Sequence, residues 1–204
     1  MLKETIESSG VIDLMRRSGA LMTGHFELAS GLHSTEYIQC ARLLEDPRRA
    51  EKVGTYLAHL LKEALGGRPP DVVVNPAVGG LIIGHEVARA LGTRCIFAER
   101  VAGAMTLRRG FAIGEGERVV VVEDVFTTGG SIKEVMKVVS AAKGKVVAVG
   151  SVVDRGVDID FGVPTVSLVT AQIDNYDPAD CPMCRDGIEV VKPGTKRTQM
   201  EAGK

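Results

Sequence analysis

Short apolar runs separated by polar, glycine-rich breaks recur through the middle of the chain and set its architecture. Residues 71–75 (Asp71-Val72-Val73-Val74-Asn75) form a β-branched run long enough for a core strand. Further runs at residues 94–98, 118–123, 145–153 and 164–169 have the same character, and that at 119–122 is four consecutive valines. Such unbroken runs suit parallel strands covered on both faces. Between them, residues 81–91 and 131–139 place apolar side chains at helical spacing, and Gly92 supplies a helix stop. Residues 47–65 read as a longer amphipathic helix with Asp46 as N-cap and Gly66-Gly67 as its end. The alternation predicts an α/β fold: a doubly wound, mainly parallel five-stranded sheet with helices on both faces. No repeat or linker divides the series. The expectation is a single domain over residues 1–204, with an N-terminal helix and hood in 1–45, the core in 71–170 and a C-terminal segment in 171–204 that loosens after Val191.

The break after the valine run carries the most chemistry. Glu123-Asp124-Val125-Phe126 leads into Thr127-Thr128-Gly129-Gly130-Ser131 and then a helix. Backbone N–H groups and hydroxyls of residues 127–131 can converge on one anion at that helix N-terminus. Two carboxylates beside an anion cradle would repel its ligand unless they face hydroxyls, and a ribose 2′,3′-diol supplies those. The segment therefore suits the two ends of a ribose 5-phosphate. It lacks the Gly-Lys-Ser/Thr of a Walker loop and the Gly-x-Gly-x-x-Gly of a dinucleotide fold. A plain capped strand-to-helix turn is the bland alternative. After the first core strand, Pro76-Ala77-Val78-Gly79-Gly80 occupies the other crevice position, where glycines let backbone amides approach a diphosphate.

This order of four hydrophobic residues, two acidic residues and a Thr/Gly/Ser loop resembles the signature of the type I phosphoribosyltransferases. Residues 25–38, containing Phe26-Glu27-Leu28-Ala29-Ser30-Gly31 and Ser34, resemble the orotate branch, as do Cys181-Pro182-Met183-Cys184 and Lys192-Pro193-Gly194 near the end. The resemblance implies transfer of ribose 5-phosphate from 5-phosphoribosyl 1-diphosphate (PRPP) to N1 of orotate, yielding orotidine 5′-phosphate and pyrophosphate in pyrimidine (UMP) biosynthesis. It assigns PRPP to Arg100, Val78, Gly79, Gly80, Glu123, Asp124, Val125, Phe126, Thr127, Thr128, Gly129, Gly130 and Ser131. Orotate falls to Thr127, Arg155, Ser30 and Gly31, the last two in a hood of two short strands around a Ser-Gly turn. Catalysis falls to Arg100, Glu123 and Asp124, with Arg109 or Arg108 as the replacement for the lid lysine and histidine of the family, and Mg²⁺ is the implied cofactor, held through PRPP and water rather than by a protein ligand set.

Residues 99–111 form a connection long enough for a lid, with Arg100, Arg108 and Arg109 available to a departing diphosphate. The resemblance implies a homodimer whose lid is shared between subunits. Where the family usually carries a lid lysine and histidine, this chain has arginines, and Ala29 and Val78 stand where lysines are common.

Composition narrows the partners. A formal net charge of −1 and a pI near 6.4 leave no basic excess for nucleic acid. No apolar run approaches the ~20 residues of a membrane span, and Glu4 and Glu7 do not suit a secretory leader. A cytoplasmic protein is expected. Cys181 and Cys184 form one Cys-x-x-Cys pair without a second to complete a zinc site. They read as a reduced pair in a surface turn; ligands borrowed from elsewhere, or redox chemistry, are the alternatives. Transferases for other bases and a PRPP-sensing regulator are the competing functions.

Overall fold

The computed structural model describes residues 2–3, 6–28, 30–156 and 159–193. Ala29, Gly194 and the rest of the expected loose tail lie outside the described residues. In chain order the elements are β1 (Leu2–Lys3), α1 (Ile6–Arg17), β2 (Leu21–Glu27), β3 (His33–Ile38), α2 (Cys40–Leu44), α3 (Pro47–Ala64), β4 (Val72–Pro76) and α4 (Gly80–Leu91). They continue with β5 (Arg94–Val101), β6 (Ala104–Leu107), β7 (Arg118–Phe126), α5 (Gly130–Ala141), β8 (Lys145–Asp154), β9 (Thr165–Ala171), β10 (Asn175–Tyr176) and α6 (Pro182–Arg185).

The chain forms two compact units. The larger comprises residues 1–20 and 39–172, and its sheet has the order β1-β9-β8-β7-β4-β5-β6. The five strands expected from the apolar runs are β4, β5, β7, β8 and β9, and their mutual pairings are parallel. Antiparallel edges β1 and β6 are additional. Helices α1, α3 and α4 cover one face and α5 the other. This two-sided cover explains why Val119, Val120, Val121 and Val122 have no exposed surface. Each such valine contributes about 1.5–3 kcal/mol by leaving water.

Helix limits follow the local chemistry. The Asp46 carboxylate accepts a hydrogen bond from Arg48 N–H at 2.9 Å, and Pro47 occupies the first helical position of α3. Gly92 ends α4 in the left-handed region at φ 71°.

The smaller unit comprises residues 21–38 and 173 onward. Strands β2 and β3 are the two expected short strands, joined through Gly31 at φ 83°. A third strand, β10, pairs with β3, and Val191 bridges to Phe26. The C-terminal segment is thus built into the same unit as the hairpin. Sequence reading treated the two separately.

Candidate functional site

The larger unit's sheet reverses its winding between β4 and β7: from β4 the chain proceeds outward to β5, then returns to the other side as β7. Ligands of open α/β sheets bind at the carboxyl ends of strands at such a switch point. Both glycine-rich breaks leave from there.

At the end of β7, Glu123 and residues 125–132 line an open cleft of about 220 Å³. Gly129 has φ 67° and precedes α5 as its N-cap without a side-chain cap bond. A Cβ there would lie 2.9 Å from Ile159 Cδ1 and 3.0 Å from Phe161 Cζ, so glycine is demanded by both conformation and space. The first N–H groups of α5 have no partners within the helix and carry the positive end of its dipole. Anion binding follows from that arrangement.

At the end of β4, residues 77–80 turn into α4. Ala77 N–H donates to the Ala98 carbonyl at 2.8 Å, the Ala77–Val78 peptide is cis, and Val78 is 80% exposed. A Cβ on Gly79 would stand 2.7–2.9 Å from the Asp124 carboxylate, and one on Gly80 would stand 3.1 Å from the Val122 carbonyl oxygen. Glycine therefore lets this loop lie directly against the acidic pair. The structure brings Gly79 against Asp124 and Gly80 against the Val122 carbonyl that precedes the acidic pair.

Burial dominates the behaviour of that pair. It raises Glu123 to about 8, with the Asp124 charge and a hydrogen bond between the two carboxyls adding to the rise. Burial also raises Asp124, opposed by hydrogen bonds from the Val125 and Asp124 amides and from Glu123. Val125 N–H donates to Asp124 Oδ1 at 2.9 Å. Since the folded state holds the Glu123 proton more tightly than the unfolded chain does, stability is lost as pH rises from the unfolded value of 4.5 through about 8. Glu123→Gln removes the loss. Thermal denaturation should show the variant gaining stability over the parent at pH 9, by a few kcal/mol at most, with little difference at pH 4. A pH-independent difference would sink the assignment.

Thr127 and Arg155 emerge side by side. Phe126 pairs with Asp154, and Arg155 N–H donates to the Phe126 carbonyl at 3.1 Å. The candidate orotate residues Ser30 and Gly31 belong to the smaller unit, where both are exposed.

The arginine-rich connection is more regular than a long loop. Residues 94–107 form an antiparallel hairpin, β5 to β6, turning at Ala102 (φ 48°) and Gly103 (φ 85°). An edge strand thus replaces much of the irregular loop, because Val101 and Ala104 remain in register across that turn. Arg100 pairs with Glu134 at 2.7 Å and donates to the Gly103 carbonyl. Arg109 pairs with Glu99 at 3.1 Å and lies over the Phe97 ring, and Arg108 reaches Glu99 at 4.0 Å.

In the smaller unit, the Cys-x-x-Cys pair is not a pair in a surface turn. Cys181 is buried and Cys184 exposed, and His25 and His33 lie beside them. A histidine contribution was foreseeable only as ligands borrowed from an unspecified place.

Residues 39–161 match the family model described as a phosphoribosyl transferase domain. The chain is 48% identical over 187 residues to the orotate phosphoribosyltransferase of Heliobacterium modesticaldum, covering 91% of this chain and 97% of that one. The chain belongs to the orotate phosphoribosyltransferase family. Another member, from Thermotoga maritima, is 50% identical over 185 residues, with 90% and 97% of the two chains covered. Among solved structures, orotate phosphoribosyltransferase from Aeropyrum pernix superimposes with a TM-score of 0.67 at 27% identity, over 79% of this chain and 93% of that one. Membership makes the chain a phosphoribosyltransferase enzyme of α/β fold. Among the described residues no helix is long and apolar enough to cross a membrane.

Proposed function

We propose that this phosphoribosyltransferase moves ribose 5-phosphate from PRPP to N1 of orotate in the cytoplasm, releasing pyrophosphate and supplying orotidine 5′-phosphate for UMP synthesis. The observation that carries the reading is the Asp124 carboxylate, packed against Gly79 between the β4 and β7 loops. Residues 127–131 hold the 5′-phosphate, Glu123 and Asp124 accept from the ribose hydroxyls, and residues 78–80 offer backbone to the diphosphate. Thr127 and Arg155 address the base. The C1–diphosphate bond breaks with its electron pair leaving on oxygen, positive charge develops on the sugar, and N1 of orotate forms the new bond. Positioning and electrostatics provide the rate enhancement, and no protein nucleophile is required.

Mg²⁺ fits this donor set: two buried carboxylates whose protons are held too tightly want a cation or hydroxyl donors nearby. Bound through PRPP and water near Glu123 and Asp124, the ion would supply positive charge to the leaving diphosphate. Arg100 and Arg109 contribute to the same charge. Their guanidinium side chains are about half exposed while the Glu134 and Glu99 carboxylates are more buried, so both arginines can reach solvent and a diphosphate from where they sit. A homodimer with a shared lid is the assembly the resemblance implies, and the β5–β6 hairpin is the segment that would be shared.

The test follows orotate absorbance with PRPP and Mg²⁺, against adenine, hypoxanthine, xanthine and uracil. Loss of orotate that requires both PRPP and metal is expected. Turnover of another base would keep the ribose-phosphate assignment and overturn the base assignment; PRPP binding without turnover would indicate a sensor.

A further inference from the structure

The smaller unit gathers four soft donor side chains from opposite ends of the chain. His25 sits at the register shift of β2 between Thr23 and Phe26, and the bulge there places its ring beside that of His33 on the neighbouring strand. Cys181 immediately precedes α6 and Cys184 lies within it. His25 Nε2 is 3.5 Å from Cys181 Sγ and 3.7 Å from Cys184 Sγ. His33 Nδ1 is 3.3 Å from Cys184 Sγ and 2.8 Å from His25 Nε2. All four atoms lie within 4.8 Å of one another.

These are the dimensions of a tetrahedral coordination shell. Zinc bonds of about 2.3 Å to sulfur and 2.0–2.1 Å to nitrogen place N and S roughly 3.5 Å apart along an edge, and two nitrogens roughly 3.3 Å apart. Three of the four nitrogen–sulfur separations, 3.3, 3.5 and 3.7 Å, straddle that value. The nitrogen–nitrogen distance is shorter, and a small tilt of either ring opens it.

The outer contacts prepare the same set. His25 Nδ1 lies 2.7 Å from the Ile188 carbonyl oxygen, which can only accept. Nδ1 therefore carries the proton, and the Nε2 lone pair faces the cluster, the tautomer a metal ligand needs. Ile188 is held in turn by its own N–H, which donates to the Met183 carbonyl at 3.0 Å. His25, His33 and Cys181 are buried, with Cys184 at the rim.

We propose that His25, His33, Cys181 and Cys184 form a structural zinc site. Four protein donors fill a tetrahedral shell and leave no open position for substrate, which separates this site from catalytic zinc. The unit also needs such a tie. Its buried apolar side chains among the described residues are few, with Leu21, Phe26 and Met183 foremost, and small units with thin cores depend on metal or covalent staples. The ion joins β2 and β3 to α6, and with them the two ends of the hairpin that presents Ser30 and Gly31. Binding displaces the two thiol protons to solvent. The site stands independently of the proposed transferase reaction.

Elemental analysis of tag-free protein should give one zinc per chain. Titrating Co²⁺ into the metal-stripped protein should produce the intense visible bands of tetrahedral cobalt and a near-ultraviolet thiolate charge-transfer band, saturating at one equivalent. Cys184→Ser should weaken Co²⁺ binding by roughly 100-fold or more and abolish half of the thiolate band. A pale octahedral spectrum, or a spectrum unchanged in Cys184→Ser, would overturn the site. Should that variant fail to fold, the parent protein decides: zinc must protect two of its four thiols from alkylation and a chelator must restore their reactivity. Equal alkylation with and without zinc, or a Cys181–Cys184 disulfide that forms regardless of metal, would overturn it.

Discussion

Asp124→Asn should lower turnover by about 10²- to 10³-fold with no loss of stability, the range observed when one preorganised group facing transition-state charge is removed. The carboxylate lies between the two loops assigned to PRPP, against Gly79 and at the end of β7. In the proposed reaction its negative charge would face the ribose, where positive charge develops as the diphosphate leaves. An asparagine oxygen can still accept from Val125 N–H, so the local turn survives. Burial already disfavours the charge, which is why the carboxyl's pKa is raised, and removing it should leave the melting temperature level or higher. Steady-state kinetics beside thermal denaturation separate the two effects. Unchanged turnover, or a loss of activity that tracks a loss of folded protein, would refute the role.

The second large effect concerns the base. Arg155→Ala should raise the KM for orotate by about 30- to 5,000-fold, since stripping one partner from a hydrogen-bonded charge pair costs ~2–5 kcal/mol. The KM for PRPP should move by no more than a small factor. The selectivity follows from position: Arg155 leaves the end of β8 beside Phe126, next to Thr127, while the diphosphate loop leaves from β4 on the other side of β7. Only a guanidinium grips a carboxylate with two parallel hydrogen bonds, so Arg155→Lys should recover a minor part of the loss. Equal rises in both KM values would mean that the substitution had disturbed the β7–β8 end as a whole.

What the sequence made legible divides along physical lines. The five parallel strands could be read because strands buried on both faces must be apolar at every position, and Val119 to Val122 leave no other reading. Asp46 and Gly92 were legible because a helix end needs a particular chemistry. The turn after β7 was legible for a similar reason: hydroxyls and glycines directly after a valine strand mark a strand end and a helix start. The edge strands were not. Leu2–Lys3 and Asn175–Tyr176 are two residues each, too short to show a period. Strand β6 hid inside what read as a lid, although Ala102-Gly103 is a turn signal that could have suggested the hairpin. The histidines beside Cys181 and Cys184 were the hardest to find. Their spacing fits no local metal motif, because the pairing of β2 with β3, and of the C-terminal segment with both, creates the cluster.

The smaller unit's discontinuity has a consequence for biosynthesis. Its hairpin, residues 21–38, leaves the ribosome early, but β10, α6 and the Val191 bridge follow only after residues 39–172 have been made. At ~5–20 residues per second the hairpin waits roughly seven to thirty seconds for the rest of its unit. Throughout that interval the outer edge of β3 has no β10 beside it, and a two-stranded hairpin alone is marginal in water. The nascent chain can complete its α/β layers first and assemble the smaller unit last, so a ribosome that stalls or a message truncated before Cys181 yields a well-formed core with an unfinished, adhesive hairpin.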